Sequence, residues 1–252
     1  MKLTILGSGV TMPSLTRNAA GYYLKIGTNH VLIDCGSGTL RQLLKAKVKW
    51  QELDYIFISH RHPDHITDLM AIMHAIYVAG HFNNQRIKPL VLVGYKGFKQ
   101  DYHYFRQATF PAGRESYSIK IMEIKQSAKQ FSSWRVRATS VEHGGLEVNA
   151  YRFEHQGKSL VLGSDCDYNQ NLVKICHQTD LAVLDCMMPI VKKLPGHMSP
   201  KECGQTAKEA RVKKIVLTHI NPKYDNINLK KQAKKYYQGP VVIAKDLMTI
   251  KI

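Results

Sequence analysis

Ile58-Ser59-His60-Arg61-His62-Pro63-Asp64-His65 places three imidazoles and one carboxylate within six positions, directly behind an apolar run. Upstream, Asp54 to Ser59 (Asp-Tyr-Ile-Phe-Ile-Ser) predicts a short strand buried on both faces. Downstream, Ile66, Leu69, Met70, Met73, Ile76 and Tyr77 recur at helical spacing and predict a helix over Ile66 to Val78. The histidines therefore fall on the turn between strand and helix. From an extended backbone His60 and His62 point the same way, whereas Asp64 and His65, closing the turn, reach a second position close by. That geometry suits two metal ions side by side. Imidazole nitrogen and carboxylate oxygen are ligands that zinc accepts, and an open coordination position on it would hold water. A histidine-rich surface turn is the plainer alternative, but the pattern His-x-His-x-Asp-His is far more specific than a pair of histidines. It also requires further ligands downstream.

Candidates for those ligands occur at predicted strand ends. His143 follows the strand ending in Val141, Asp165 follows Val161-Leu162-Gly163-Ser164, and His219 follows Ile215-Val216-Leu217-Thr218. A lone histidine after a strand is ordinarily a hydrogen-bonded loop residue. Three apolar strands each delivering one candidate at the carboxyl end are what a site on the rim of a sheet requires.

Elsewhere, strands are expected at Lys2–Leu6, Ala20–Ile26, His30–Asp34, Pro89–Val93, Ile119–Ile124, Trp134–Val141, Asn149–Glu154, Ser159–Gly163, Leu181–Leu184, Lys214–Thr218, Val241–Ile243 and Met248–Ile250. Helices are expected at Thr39–Ala46, Gly97–Gln107, Gln170–His177, Pro200–Ala210 and Asn228–Tyr237. Gly80–Lys88 and Phe110–Ser118 read as loops that shape an entrance, the second of them mobile. Meander strands and alternating units in both halves predict an α/β protein of two sheets packed face to face with helices outside. Residues 1–252 are expected to form one domain.

Composition bounds the function. A chain of 252 residues, 44% hydrophobic and 22% charged, is ordinary for a globular protein. No apolar run approaches a membrane span, and Met1–Leu6 lacks the regions of a signal peptide. Five scattered cysteines (Cys35, Cys166, Cys176, Cys186, Cys203) contain no Cys-x-x-Cys pair, which argues against disulfides or a structural zinc cluster and for a cytoplasmic, reducing location. Cys35, Cys166 and Cys186 lie beside aspartates and so near the candidate site, though small buried residues are the commoner reading. The net charge of +17, from 36 Lys and Arg against 19 Asp and Glu, favours an anionic partner such as a phosphodiester or RNA.

With His60, His62, Asp64, His65, His143, Asp165 and His219 in place, the chain resembles the metallo-β-lactamase superfamily, and within it the ribonuclease Z-like branch. Leu6-Gly7-Ser8-Gly9, Pro13-Ser14 with Arg17-Asn18, Asp34-Cys35-Gly36-Ser37-Gly38-Thr39, and Leu217-Thr218-His219 with Lys223-Tyr224 carry the same likeness. The resemblance implies an αβ/βα four-layer sandwich and two divalent ions, zinc first, with manganese or iron as alternatives. It implies that His60, His62 and His143 hold one ion, that Asp64, His65 and His219 hold the other, and that Asp165 bridges them. A metal-bridging hydroxide would then attack phosphorus, with Asp64 orienting the nucleophile. It further implies that Asp185 holds His197 charged as the acid for the leaving oxygen. A plain helix-flanking histidine is the alternative for His197.

The pattern also departs from that branch. Ribonuclease Z carries a long arm between the third metal histidine and the bridging aspartate, whereas His143 to Asp165 spans 22 positions here, filled by a predicted hairpin. Leu15 stands at a lysine position of the family's loop. The short interval, Leu184-Asp185-Cys186 and Thr218-His219-Ile220 are similar to small cyclic-phosphate diesterases, whose amino-terminal cysteine cluster is missing. The leading expectation is a di-metal phosphodiesterase acting on a nucleotide, a cyclic phosphate or an RNA 3′ end. The alternatives are a transfer-RNA 3′-processing endonuclease and a non-catalytic RNA-binding protein on a hydrolase fold. Dimers are common in the branch, and Met70, Met73, Ile76 and Tyr77 form a stripe suited to a homodimer or to a core.

Overall fold

Strands with apolar residues on both faces need cover on both faces, and the chain supplies it in four layers. In the computed structural model all residues are described except 83–85, 87 and 110–114. The first sheet takes β1 (Lys2–Gly7), β2 (Gly21–Ile26), β3 (Asn29–Cys35), β4 (Tyr55–Phe57), β5 (Leu90–Gly94) and β6 (Ile119–Glu123). Its helices are α1 (Thr39–Lys45), α2 (Pro63–Ile66), α3 (Leu69–Phe82) and α4 (Phe98–Thr109). The second sheet takes β7 (Ser127–Gln130), β8 (Arg135–His143), β9 (Leu146–His155), β10 (Lys158–Leu162), β11 (Leu181–Asp185), β12 (Ile215–Thr218) and β13 (Val241–Ile243), with helices α5 (Gln170–Cys176), α6 (Pro200–Glu209) and α7 (Leu229–Ala233). The last strand, β14 (Thr249–Lys251), returns to the first sheet beside β1.

The strand orders are β14-β1-β2-β3-β4-β5-β6 and β13-β12-β11-β10-β9-β8-β7. Each sheet has a parallel half, β3 to β6 and β10 to β13, and an antiparallel remainder. One apolar cluster fills the space between the sheets, and two others lie between each sheet and its helices. Aromatic rings dominate the middle. Phe57 stands edge-on to Tyr151 and Phe153 with centroids 5.2 and 5.3 Å apart, and Trp134 donates through its indole N–H to Asn29 Oδ1 across the sheets at 2.9 Å. The αβ/βα sandwich expected from the sequence is the fold observed.

Several boundaries differ from expectation. The helix predicted at Ile66 divides, because α2 ends at Ile66 and α3 begins only at Leu69. Met70, Met73 and Ile76 of that stripe are buried in the core between the helices and the first sheet, so they do not face a partner. The helix expected over Asn228–Tyr237 stops at Ala233, and Tyr237 instead turns its hydroxyl to the Val212 carbonyl. The edge strand β7 was not expected; all four of its residues are exposed, so it has no apolar alternation to read. The loops Gly80–Lys88 and Phe110–Ser118 lie in part outside the described residues. Among the described residues no helix is long and apolar enough to cross a membrane.

Candidate metal centre

The predicted residues gather where both sheets present the carboxyl ends of their parallel strands. His60 follows β4, His143 ends β8, Asp165 follows β10, Asp185 ends β11 and His219 follows β12, and Asp34, next to last in β3, joins them. The histidine turn keeps extended backbone as far as His62 (φ −59°, ψ 142°), and Pro63 then starts α2 at the position where a helix tolerates proline best. His60 and His62 thus leave an extended segment while Asp64 and His65 sit on the first helical turn. Two bonds hold this turn against the opposite sheet: the Asn149 N–H donates to the Ser59 carbonyl at 3.0 Å, and the Tyr151 hydroxyl donates to the Ile58 carbonyl at 2.8 Å.

The side chains form two donor groups that share one carboxylate. His60, His62, His143 and Asp165 make the first, and Asp64, His65, His219 and Asp165 the second, with the possible ligand atoms of each within 4.8 Å of one another. In the first, the His62 Nδ1 lies 3.0 Å from His60 Nε2 and 3.1 Å from His143 Nε2. In the second, Asp165 Oδ2 lies 3.2 Å from His65 Nε2 and 3.1 Å from His219 Nε2, while Asp64 Oδ2 is 3.9 Å from both rings.

The surroundings fix which ring nitrogens carry protons. Ser59 donates its hydroxyl proton to Asp34 Oδ2 at 2.8 Å, so its oxygen accepts from the His60 Nδ1–H at 3.0 Å. His65 donates its Nδ1–H to the same Asp34 oxygen at 2.8 Å, and His143 donates its Nδ1–H to the Gly196 carbonyl at 2.6 Å. In all three rings the outward nitrogen is thus occupied by the protein, and the nitrogen facing inward is the one left to serve as a ligand. Outward N–H groups tied to carboxylates or carbonyls are how metal-ligating imidazoles are oriented.

Charge gives the same answer. Asp34, Asp64, Asp165 and Asp185 are all buried here, and among the described residues no lysine or arginine pairs with any of them. A buried unpaired carboxylate costs several kcal/mol even after relaxation. Burial and the neighbouring rings of His65 and His143 push His60 well below the usual histidine range, so it supplies no positive charge. Burial opposes a charge on His65 as well, but the carboxylates of Asp165 and Asp34 outweigh it and hold that ring well above the range. Burial likewise opposes a negative Asp165, and His219 and His65 overcome it. Ring nitrogens turned inward among clustered carboxylates fit a pair of divalent cations, which would take the place of the ring proton.

Asp185 and His197 meet as expected, with His197 Nδ1 2.8 Å from Asp185 Oδ2. Burial alone would lower His197, but the Asp185 carboxylate raises it, and burial raises Asp185 in turn, so the pair keeps its proton. The His197 ring packs over His219 and against His143, centroids 5.4 and 4.8 Å away. All five cysteines are free and buried; of the three beside aspartates, Cys166 meets the site only through its backbone N–H, 3.3 Å from Asp185 Oδ2.

Two residues with no role in the sequence reading matter here. Asp34 orients His65 and, through Ser59, His60. Its only sequence signal was membership of the Asp34-Cys35-Gly36 stretch. Asp167 accepts from the Gly196 N–H at 2.5 Å and from Lys193, which also donates to the His197 carbonyl, so it anchors the loop carrying His197 and the acceptor of His143. Nothing in the sequence pointed to it.

The profile of the beta-lactamase superfamily domain matches residues 29–220. Ribonuclease Z of Archaeoglobus fulgidus is 26% identical over 307 aligned positions, covering 100% of this chain and 97% of that one. At least 55 of those 307 positions therefore have no counterpart in the 252 residues here. The probable metallo-hydrolase YhfI of Bacillus subtilis is 27% identical over 247 positions, 97% of each chain. Its crystal structure superposes with a TM-score of 0.83 at 25% identity, covering 99% of this chain and 98% of that one. The short form of human tRNase Z superposes with a TM-score of 0.82 at 24% identity, covering 100% and 99%, a likeness of fold.

Proposed function

This chain belongs to the beta-lactamase superfamily and is a metal-dependent hydrolase, and from that premise we propose that the bond it cleaves is a phosphodiester, in a nucleotide, a cyclic phosphate or an RNA 3′ end. The observation that carries the proposal is the sharing of Asp165 by two donor groups, in which His60, His65 and His143 have their outer nitrogens occupied by the protein and their inner nitrogens turned to the centre. His60, His62 and His143 would hold one ion, Asp64, His65 and His219 the second, and Asp165 both; zinc suits this donor set best, and manganese and iron are also accepted. Paired divalent ions supply Lewis acidity and lower the pKa of water towards about 7.

The protein's own groups do the rest. Asp64, with its side chain 10% exposed, faces both rings of the second group and is placed to orient the attacking oxygen. Asp185 holds His197 Nδ1, which leaves Nε2 to protonate the departing oxygen. The basic surface, +17 overall, draws an anionic ester towards the rim.

A small diester is favoured over a whole transfer RNA because β8, β9 and β10 follow one another through tight turns between His143 and Asp165, leaving no arm. The alignment with YhfI, 247 positions for 97% of this chain, needs only a few positions beyond its residues, and that with the archaeal ribonuclease Z needs many. Transfer-RNA 3′ processing is the second reading, favoured by similarity to that ribonuclease Z along the whole chain. Metal-loaded protein, with a His62→Ala control, should be given a chromogenic phosphodiester and a precursor transfer RNA bearing a 3′ trailer. Hydrolysis of the diester alone, lost in the control, is the expected result. Cleavage of the RNA at the trailer would move the assignment to the endonuclease, and inertness towards both would sink the phosphodiester claim.

A further inference from the structure

Four deeply buried imidazoles surround the centre: His60, His65, His143 and His219. Three have an outer nitrogen fixed by the protein, as described above. His219 is the exception. Its Nε2 faces Asp165 at 3.1 Å, so Nδ1 is its outer nitrogen, and Nδ1 is buried without a hydrogen-bond partner among the described residues. A metal-ligating ring almost always donates that second N–H to a carboxylate, a carbonyl or a water, and a buried donor left unpaired is destabilising.

Between the two sheets lies a cavity of about 10 Å³ that His219 lines together with Asp165 and His65. Besides His65 Nε2, which faces the centre, two of the residues lining it carry further buried polar atoms without a partner among the described residues, Asp185 Oδ1 and Ser164 Oγ. The other Asp185 oxygen is already taken by His197 and by the Cys166 N–H. Backbone conformation singles out the same place, since Asp34, Ser164 and His219 all line the cavity and all hold left-handed φ values of 52°, 58° and 55°. Asp34 and His219 have side chains the centre needs. At Ser164 glycine would sit without strain, and what glycine lacks is the hydroxyl.

We infer that the cavity is a binding site for one ordered water, accepting from the His219 Nδ1–H, donating to Asp185 Oδ1 and bonding Ser164 Oγ. Its volume is that of a single water site, about 10–15 Å³, and three polar partners are the usual number for one. The water ties a candidate ligand of the second ion to the carboxylate that holds His197. The role given to His219 rests on the metal-centre reading above; the presence of the water does not.

A high-resolution crystal structure should show density bonded to at least two of the three atoms. Absence of density there, or side chains turned to pair with one another, would overturn the inference. Ser164→Ala should bind one of the two ions about tenfold more weakly in competition with a chelator, the lower end of what an outer partner contributes. Ser164→Gly, which also relieves the backbone, should show the same loss with a thermal midpoint no lower than the parent's. Parent-like affinity for both ions in both variants would count against the water's part in holding His219. If the parent protein bound no divalent ion, the metal-centre reading would fall and the density alone would decide the water.

Discussion

Asp34 shows how much of the centre depends on a residue that touches no candidate ion. One of its oxygens accepts from both Ser59 Oγ and His65 Nδ1, and the other from the Ser59 N–H at 2.7 Å, so a single carboxylate sets two rings in two donor groups. Asparagine at this position can still accept at one atom but presents an amide N–H at the other. Asp34→Asn should therefore weaken divalent-ion binding about 10–100-fold, read by chelator competition, with the far-ultraviolet dichroism of the parent retained. For the residues that face the ions the loss should be complete: His62→Ala or Asp165→Ala should leave no metal-dependent hydrolysis, and retained activity in either would refute the site assignment.

Among the elements, the turn from β4 into α2 depends on a close approach that only glycine allows. A Cβ on Gly36, just after β3, would stand 2.0 Å from the Asp64 carbonyl oxygen, which is backbone and cannot swing aside. Gly36→Ala should push α2 away from β3, destabilising the fold by about 1–3 kcal/mol in urea unfolding and weakening the ion held by Asp64 and His65 more than that held by His60 and His62. Strands and helices were read well where an apolar pattern was strong, as at β4, β10, β11 and β12. They were misread where packing set the ends: Tyr237 leaves the helical path to reach a buried carbonyl, and β7 is paired with β8 although every one of its residues is exposed.

For the molecule as a whole, acid sensitivity should come partly from carboxylates far from the centre. Burial alone would raise Asp180, but Lys213 and the Ser159 backbone and hydroxyl bring it below the ordinary range, with contacts of 2.9, 2.8 and 3.1 Å. Because its folded pKa is depressed, the stability it contributes is present above the unfolded carboxylate pKa of about 3.9 and is lost as pH falls through the folded value. Asp180→Asn should therefore be less stable than the parent near neutrality, with the gap closing in urea titrations carried down towards pH 3. A gap that stayed constant with pH would show that the carboxylate charge is not the source.

The sequence by itself determined the layered α/β class, the two-sheet arrangement and the identities of the candidate ligands, because apolar periodicity and the His-x-His-x-Asp-His spacing are local properties of the chain. It also brought Asp185 and His197 into consideration, though only through resemblance. What the tertiary structure decided was the state of those residues. The direction of each ring is set by acceptors distant in sequence, Asp34 for His65 and Gly196 for His143. The two halves of the centre are brought together by Asn149 and Tyr151 reaching across from β9 to the histidine turn. The cavity lined by His219 exists only where two sheets and three left-handed residues meet. A hydrogen bond between residues far apart in the chain leaves no periodicity to read; it forms because burial obliges each polar group to find a partner.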